Sequence, residues 1–559
     1  MNGSDRKPRV TVVTGGALGI GAAIAEELGR HGAFVVTVDP GVAVDGTPGS
    51  GDTERTTAQR IVDAGGQARA SNISVTDADA VGALFAELVE EFGALDAVVN
   101  VAGISRATGF ASGIEDDWRA VLDVHLNGYL NTLRAALPLM AAAGHGRILG
   151  VTSGSGWRAA DAGAYSCAKR AVAALTWQIG QATPSGVTVN ALSPIAATRM
   201  VLGALSRQAG TGNRTGREAA TGGVSLSLDA VPPPEHLGPI GAYLAGDDFA
   251  AGCRGQVMFS NGAELAWVVP PRLLEVARTT DVGSLPRLLE MLGPTVLAPA
   301  EAAQATNGGG NPRLGAAFDE PAPSASSAAH GRRAVVVTDV PASGNAITKT
   351  LTSRGVECVT IAQPATRFTA AAEQLAAVAG ESVPVDAVVV ALVGDDARAV
   401  ASPDVPAWQR MLDEHTGITD RIATDAAWVR AVADLAAASD RPVRIVTVVD
   451  ATSAGGRSRA QAAAQLSRAA HQATADRVDA FAISVESAHG SAFGRTADVA
   501  AYLVSDAGAG ALSGAELVVS TDWVGLRSHP RPAGTISFGG PDVPGWLDGA
   551  LRDMVGSGR

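Results

Sequence analysis

Short apolar runs of strand length alternate with stretches of helical periodicity along the first part of the chain. The runs are rich in β-branched residues, as in RVTVVT (9–14), AFVVTVD (33–39), LDAVVNVAG (95–103), GRILGVTS (146–153), VTVNALSP (187–194) and GQVMFSNG (255–262). Buried strands that alternate with helices are typical of a parallel sheet covered on both faces. The pattern therefore predicts an α/β fold with a doubly wound parallel sheet.

The same pattern begins again after residue 332. The segment 9–40 is matched by 333–364, and LDAVVN (95–100) is matched by VDAVVV (385–390). Further blocks match in the same order, such as DDWRAVLDVH with PAWQRMLDEH and GAYLAGD with AAYLVSD. We therefore predict a duplication, with one domain at 1–297 and a second at 333–559. The segment 298–332 is rich in Ala, Pro, Gly and Ser and is typical of a flexible linker.

The composition narrows the class of protein. Of the 559 residues, 46% are hydrophobic, which favours folded domains, and the net charge of −13 argues against a nucleic-acid partner. The apolar runs are shorter than the roughly 18 residues that span a membrane. Three scattered cysteines without CxxC spacing predict neither disulfides nor a metal site, and glycines interrupt the N-terminal apolar stretch too early for a secretory signal. These features predict a cytoplasmic protein with no membrane partner.

A glycine-rich turn, TGGALGIG (14–21), follows the first predicted strand and opens the first helix. Gly15 permits a tight turn, and Gly19 and Gly21 let the backbone approach a pyrophosphate at the helix N-terminus. Asp39 ends the second predicted strand, where a carboxylate accepts the ribose hydroxyls and repels a 2′-phosphate. The alternative for this aspartate is an ordinary turn residue. The arrangement predicts a dinucleotide site that prefers NAD to NADP.

Tyr165 and Lys169 lie four residues apart in AYSCAKRAV and share one face of a predicted helix. They follow a predicted strand that ends in Ser153. Reduction of a ketone requires a proton at oxygen, and a tyrosine can give it when a neighbouring ammonium lowers its pKa from about 10. A serine hydroxyl can hold the carbonyl oxygen. The alternative is a tyrosine that only packs a helix face.

These motifs resemble those of the short-chain dehydrogenase/reductase family over residues 9–270. The family's glycine motif is matched by TGGALGIG, its strand-four motif by NVAG (100–103), and its active-site motif by Tyr165 and Lys169. The resemblance implies a Rossmann-like fold with Tyr165 as acid/base, Lys169 on the nicotinamide ribose and Ser153 orienting the substrate. The cofactor-binding residues that it implies, beside Tyr165 and Lys169, are Gly15, Leu18, Gly19, Ile20, Gly21, Asp39, Asn72, Ile73, Asn100, Ala102, Gly103, Ile195 and Thr198.

Several positions depart from the family's pattern. The aspartate usual after the third strand is Asn72, and the usual catalytic asparagine is His125 in VHLNG. A neutral His125 can hold the water that links Lys169 to solvent; the alternative is a packed helix histidine. Ser153 stands one residue closer to the tyrosine than is usual, so Ser155 stays open as the catalytic serine.

His125 and the loop after the second strand resemble the dehydrogenase domains of peroxisomal multifunctional β-oxidation enzymes, which oxidise (3R)-hydroxyacyl-CoA with NAD. This resemblance implies a 3-hydroxyacyl or 3-ketoacyl thioester as the substrate. Two alternatives stay open: a ketoreductase for a polyketide, steroid or other cyclic ketone, and a non-catalytic NAD-binding scaffold. The segment after Thr198 is predicted to cover the substrate.

The second copy lacks the residues of this chemistry. Asp339 replaces Gly15, a proline follows at 341, and the second-strand acid is Gln363. Its one tyrosine after the linker is Tyr502, and no lysine follows Lys349. We predict a degenerate domain that binds no NAD and pairs with the first as an intramolecular pseudo-dimer, with two chains forming a homodimer.

Overall fold

The computed structural model of the protein describes residues 8–49, 56–158, 161–201, 231–247, 249, 253–278, 285–298, 300, 333–380, 384–394, 404–487 and 491–557. These residues form two sheets flanked by helices. The predicted doubly wound α/β class is confirmed, because each sheet is mostly parallel and its strands alternate with helices along the chain. The predicted linker falls almost wholly outside the described residues, and so does most of the segment predicted to cover the substrate.

The first sheet begins with seven parallel strands in the spatial order β3-β2-β1-β4-β5-β6-β7, followed by the antiparallel β8. All five residues of β1 are buried, as expected for a β-branched strand with helices on both faces. The strands are β1 Val10–Thr14, β2 Phe34–Val38, β3 Gln67–Ser71, β4 Ala97–Asn100, β5 Gly146–Val151, β6 Val187–Pro194, β7 Val257–Ser260 and β8 Glu264–Val269.

Helices connect these strands and bury their apolar faces on the sheet. A π-helical turn at Asp123–Asn127 joins two of them without a break. The helices are α1 Gly19–Arg30, α2 Thr57–Asp63, α3 Ala78–Phe92, α4 Glu115–Leu122, α5 Gly128–Ala143, α6 Ala164–Ala182 and α7 Gly238–Leu244.

The second sheet repeats the order of the first, as β11-β10-β12-β13-β14-β15-β16 with β9 at its end. In the described part of the chain, no strand stands where β3 stands in the first sheet. The strands are β9 Leu273–Arg278, β10 Arg333–Thr338, β11 Glu357–Ile361, β12 Ala387–Ala391, β13 Val443–Asp450, β14 Val478–Val485, β15 Glu516–Val519, β16 Trp523–Arg527 and β17 Arg531–Ser537. The helices are α8 Leu285–Leu292, α9 Pro341–Ser353, α10 Phe368–Ala379, α11 Ala407–Glu414, α12 Ile418–Ser439, α13 Ala454–Thr474, α14 Ser491–Ser505 and α15 Leu547–Ser557.

The two sheets exchange their last strands. β9 pairs antiparallel with β16 in the second sheet, and β17 pairs antiparallel with β8 in the first. The helix after each exchanged strand packs on the same sheet as that strand. Leu289 of α8 lies in the core of the second sheet, and Leu547 and Leu551 of α15 lie in the core of the first. Sheet membership therefore departs from the predicted domain bounds of 1–297 and 333–559. The first unit comprises β1–β8, α1–α7, β17 and α15, and the second unit comprises β9–β16 and α8–α14.

The two units pack through the helices that follow β5 and β13. Cys167, Ala171 and Leu175 of α6 share one buried apolar cluster with Ala462 and Leu466 of α13. The small side chains on both helices let the backbones approach closely. This contact joins the two units within one chain, while the pseudo-dimer and the association of two chains stay predictions. Across the described ranges, no helix is both long and apolar enough to span a membrane.

Candidate active site

The glycine turn after β1 closes tightly on the start of α1. Gly15 (φ +64°) and Gly19 (φ +58°) lie in the left-handed region that favours glycine. A Cβ on Gly15 would lie 2.8 Å from Ala102 N, and one on Gly21 would lie 2.1 Å from Gly15 O. At Gly19 the nearest atom to such a Cβ would be Thr198 Cγ2, at 3.9 Å. The helix N-terminus is therefore approachable by a bulky anion such as a pyrophosphate, and the cradle fits a dinucleotide.

Asp39 lies directly after β2, beside the glycine turn. Its Oδ2 accepts a hydrogen bond from Ala17 N (3.3 Å), and its Oδ1 accepts one from Gly41 N (2.9 Å). Each carboxylate oxygen has a further lone pair. The carboxylate is thus fixed beside the cradle and can still accept from ribose hydroxyls.

The other residues predicted to bind the cofactor lie at the same edge of the first sheet. Asn72 and Ile73 follow β3, Asn100 ends β4, and Ile195 follows β6, where its N donates to Ser260 O (2.9 Å). Parallel strands present their carboxyl ends on one edge, and ligands of doubly wound sheets bind there, where the strand order reverses. In this sheet the reversal lies between β1 and β4.

Asn100 links β4 to β1 and α5 near this edge. Its Oδ1 accepts from Thr14 Oγ1 (3.0 Å) and from Thr132 Oγ1 (3.1 Å), which ties β4 to β1 and α5. Thr14 Oγ1 in turn accepts from Ala102 N (3.2 Å). Sequence reasoning missed both threonines, although Thr14 carries a signal, since it stands at the strand end directly before the glycines.

Tyr165 and Lys169 project from the first turns of α6. Lys169 Nζ lies 5.8 Å from the centroid of the Tyr165 ring and donates to Val151 O (2.7 Å). Thr152 Oγ1 donates to Lys169 O (2.6 Å), which anchors α6 to the end of β5. The lysine is only 4% exposed. The structure thus brings the predicted tyrosine and lysine together at the carboxyl edge of the sheet.

Ser153 lies between β5 and α6 and hydrogen-bonds to Tyr165. Its Oγ also accepts from Ser155 N (3.3 Å), so it caps the short 3-10 turn Gly154–Gly156. Of the two serines that the sequence left open, Ser153 is therefore the one in hydrogen-bond contact with the phenol.

Burial has the largest effect on the pKa of Tyr165 in this structure. Burial raises the pKa of Tyr165, and its hydrogen bond with Ser153 and the charge of Arg158 offset only part of the rise. Burial also lowers the pKa of Lys169 to about 7, because the ammonium loses its hydration. Lys169 Nζ donates to Val151 O, and the lowering of the Tyr165 pKa by Lys169 stays a prediction.

His125 lies in the π-helical turn and stacks edge-on against Tyr165, with 5.0 Å between ring centroids. Its Nε2 contacts Ile104 N (3.1 Å) and Ile104 O (2.8 Å). Within the described residues, buried Nδ1 has no hydrogen-bond partner. A Cβ on Gly103 would lie 2.4 Å from His125 Cε1, so the histidine requires a glycine at 103. Burial, assisted by the charge of Lys169, lowers the pKa of His125 to about 3 and keeps its ring neutral.

This buried histidine predicts a specific loss of stability in acid. In the unfolded chain His125 binds a proton below about pH 6.5, whereas in the folded chain it binds one only below about pH 3. Between these pH values protonation therefore favours the unfolded state. We expect the free energy of unfolding of the wild type to fall faster between these pH values than that of His125→Asn, by up to about 1.4 kcal/mol per pH unit. Urea unfolding at several pH values measures the two slopes, and parallel curves would contradict the assignment.

The corresponding edge of the second unit carries charged side chains of its own. Asp339 Oδ1 accepts from Val393 N (3.0 Å) and Gly394 N (3.1 Å), so a fixed carboxylate stands near the start of α9, where phosphates would otherwise approach. Arg459 forms a buried two-point ion pair with Asp425, with N–O distances of 2.8 and 2.7 Å.

The second unit also lacks the reacting groups. With residues 180–183 (GQAT) aligned on 471–474 (HQAT), Gly456 and Ala460 take the places of Tyr165 and Lys169. That the second copy performs no tyrosine–lysine chemistry stays a prediction.

Known proteins resemble the first part of the chain. A family model described as short chain dehydrogenase matches residues 9–208. The chain is 36% identical over 238 residues to the short-chain reductase protein NovJ of Streptomyces niveus, a match covering 42% of this chain and 86% of that protein. It is 36% identical over 193 residues to a 3β-hydroxysteroid dehydrogenase of Mediterraneibacter gnavus, covering 33% and 65%. It is 34% identical over 211 residues to the peroxisomal multifunctional enzyme type 2 of Drosophila melanogaster, covering 37% and 35%.

Proposed function

The chain belongs to the short-chain dehydrogenase/reductase family, whose members generally bind NAD(P), and from this premise we propose that its first unit interconverts a secondary alcohol and a ketone. The observation that carries the proposal is the grouping of Tyr165, Ser153 and Lys169 beside the glycine cradle. The cradle alone would serve any dinucleotide-binding protein, whereas the hydrogen-bonded phenol supplies an acid and base for the reaction.

In this mechanism Ser153, Tyr165 and Lys169 have different roles. Ser153 donates a hydrogen bond to the substrate oxygen and orients it towards Tyr165. Tyr165 gives its hydroxyl proton to that oxygen during reduction and takes it back during oxidation. A nicotinamide held beside these residues would supply or accept the hydride. Lys169 binds the nicotinamide ribose, and its ammonium favours the phenolate whenever it is protonated.

His125 supports the proton path in this proposal. Its ring is neutral, and Nδ1 is free of protein partners among the described residues. That nitrogen can hold a water molecule between Lys169 and solvent, in place of the asparagine found in the family's pattern. The water returns a proton to the Lys169 side, so that Tyr165 can be reprotonated after each turnover.

We propose NAD as the preferred cofactor because the Asp39 carboxylate would repel a 2′-phosphate. Replacing Asp39 with serine removes a charge-assisted hydrogen bond to the ribose, worth about 1.5–3 kcal/mol. We therefore expect kcat/KM for NAD to fall roughly tenfold to a hundredfold and kcat/KM for NADP to rise. Initial rates with both cofactors measure the change. An unaltered preference would show that Asp39 serves only the turn.

We propose a 3-hydroxyacyl or 3-ketoacyl thioester as the substrate. The similarity to a peroxisomal multifunctional enzyme supports this choice. A second candidate, a steroid or other cyclic ketone, is favoured by the similarity to a 3β-hydroxysteroid dehydrogenase. The test is a screen of NADH or NADPH formation with (3R)-hydroxybutyryl-CoA and a 3β-hydroxysteroid, each with NAD and with NADP. Turnover of the steroid alone would move the proposal to the second candidate, and turnover of neither would contradict both.

A further inference from the structure

A glutamine of the second unit reaches the loop that carries Ser153. Gln465, on α13, is 1% exposed. Its Nε2 donates to Ser155 O (3.2 Å) and to Arg158 O (2.8 Å). Its Oε1 accepts from Arg170 Nη1 (3.2 Å), on α6. One side chain therefore links the catalytic helix, the loop after Ser153 and the second unit.

This loop has little freedom of its own. Ser153 O accepts from Gly156 N (2.9 Å), so a movement of the turn shifts the serine. On one side the turn lies against α6, since a Cβ on Gly156 would lie 2.9 Å from Arg170 N. On the other side Arg468 of α13 donates to Trp157 O. Helices of both units thus clamp the segment between them.

A second glutamine of α13, Gln461, binds Arg170, which is also a hydrogen-bond partner of Gln465. Gln461 Oε1 accepts from Arg170 Nε (3.1 Å) and Nη2 (2.9 Å). Its Nε2 donates to Glu516 Oε2 (2.7 Å), on β15 of the second sheet. Arg170 is fully buried, and its guanidinium donates to the side-chain oxygens of both glutamines. The arginine next to Lys169 is therefore held by a framework that belongs to the second unit.

The first unit makes no equivalent contact with the second unit through the residue aligned with Gln465. In the GQAT–HQAT alignment, Ala174 of the first copy takes the place of Gln465, and its methyl group cannot form such bonds. α13 follows β13 after only three residues, so the second unit has no counterpart of the 152–163 loop to be held. Gln465 of the second unit therefore binds a loop of the first unit, and the reverse contact is absent at the aligned position.

We propose that Gln465 is a positioning residue that sets the place of Ser153 through the carbonyls of Ser155 and Arg158. The inference rests on the proposed function, since Ser153 acts on the substrate there. It assigns the second unit a direct part in the geometry of the active site, beyond that of a packing partner. Sequence reasoning missed this residue because the contact joins positions 310 residues apart.

The test replaces one atom group at Gln465 and makes the same change at a control position. Gln465→Glu keeps the acceptor for Arg170 but removes both N–H donors to the loop. Gln178→Glu is the matched control, because Gln178 lies on α6 at the same interface, accepts from Arg457 Nε (2.7 Å) and donates to Ser458 Oγ (3.2 Å). Two measurements are made on the full chain: amide hydrogen exchange over residues 153–158, and reduction of acetoacetyl-CoA by NADH.

We expect Gln465→Glu to speed exchange in the 153–158 segment at least tenfold and to lower kcat about tenfold, while the dissociation constant for NADH stays within about twofold. The control is expected to leave all three unchanged. Equal loop protection in both variants overturns the proposal, whatever the activity. Failure of the wild type to reduce acetoacetyl-CoA counts against the proposed substrate, and the exchange data, recorded without substrate, still decide the role of Gln465.

Discussion

Replacing Tyr165 with phenylalanine is expected to lower kcat/KM by about a thousandfold while NADH binds as it does to the wild type. Proton transfer by a positioned side chain contributes roughly 10²–10⁴-fold to a rate, and Tyr165 is the acid/base of the proposed reaction. The ring of phenylalanine keeps the edge-on contact with His125, so the loss falls on chemistry and not on packing. Initial rates measure the loss of kcat/KM, and NADH fluorescence titration measures cofactor binding.

Tyr129→Phe provides the matched control. Tyr129 is fully buried, burial raises its pKa to about 12, and its hydroxyl contacts Thr176 Oγ1 at 3.3 Å, away from the proposed reaction. We expect this variant to keep wild-type kcat/KM within about threefold, since a weak neutral hydrogen bond contributes roughly 1 kcal/mol to stability. Wild-type activity in Tyr165→Phe would instead favour the scaffold hypothesis.

Removing residues 531–559 is expected to abolish activity, although every proposed catalytic residue lies before residue 200. The deletion takes away β17, which covers the edge of β8, and α15, whose Leu547 and Leu551 are fully buried in the core of the first sheet. Loss of a buried leucine costs about 2–5 kcal/mol, so two leucines and a strand are comparable with the roughly 5–15 kcal/mol that stabilise a domain. Circular dichroism and urea unfolding report the loss.

Cleavage in the predicted linker is the control for this deletion. A protease site inserted within residues 310–320 cuts the chain without removing either exchanged strand. We expect the two pieces to co-elute and to retain activity, because each piece contributes a strand to the sheet of the other. A truncated chain with wild-type stability, or cleaved pieces that separate freely, would contradict the exchange.

The sequence predicted the parallel sheets well because their signal is local. Runs such as VTVVT and AVVVT are wholly apolar or β-branched over the length of one strand, and both became buried central strands. The exchange of β9 and β17 left no such signal. LLEVAR, the sequence of β9, has four exposed and two half-buried residues, so no buried face marks the sheet to which it belongs. Its partner in β16 lies about 250 residues away, beyond the reach of periodicity.

In the candidate active site, too, the features with a local sequence signal were predicted and those set by tertiary packing were not. The glycine turn, Asp39 and the Tyr165–Lys169 pair depend on spacings of a few residues along one turn or helix, so the sequence indicated them. The direction of the Lys169 ammonium, which donates to Val151 O, depends on the packing of α6 against β5. The clamp by Gln465 depends on the contact between the two units. Neither has a local pattern.

We expect the first unit to carry the chemistry and the second unit to fix the geometry of its active site. Calorimetric titration of the full chain with NAD, followed by a crystal structure of the complex, tests this division. We expect one dinucleotide per chain, with its phosphates at Gly15–Gly21 and its nicotinamide beside Tyr165. Two dinucleotides per chain, or a single one bound next to Asp339 in the second unit, would contradict it.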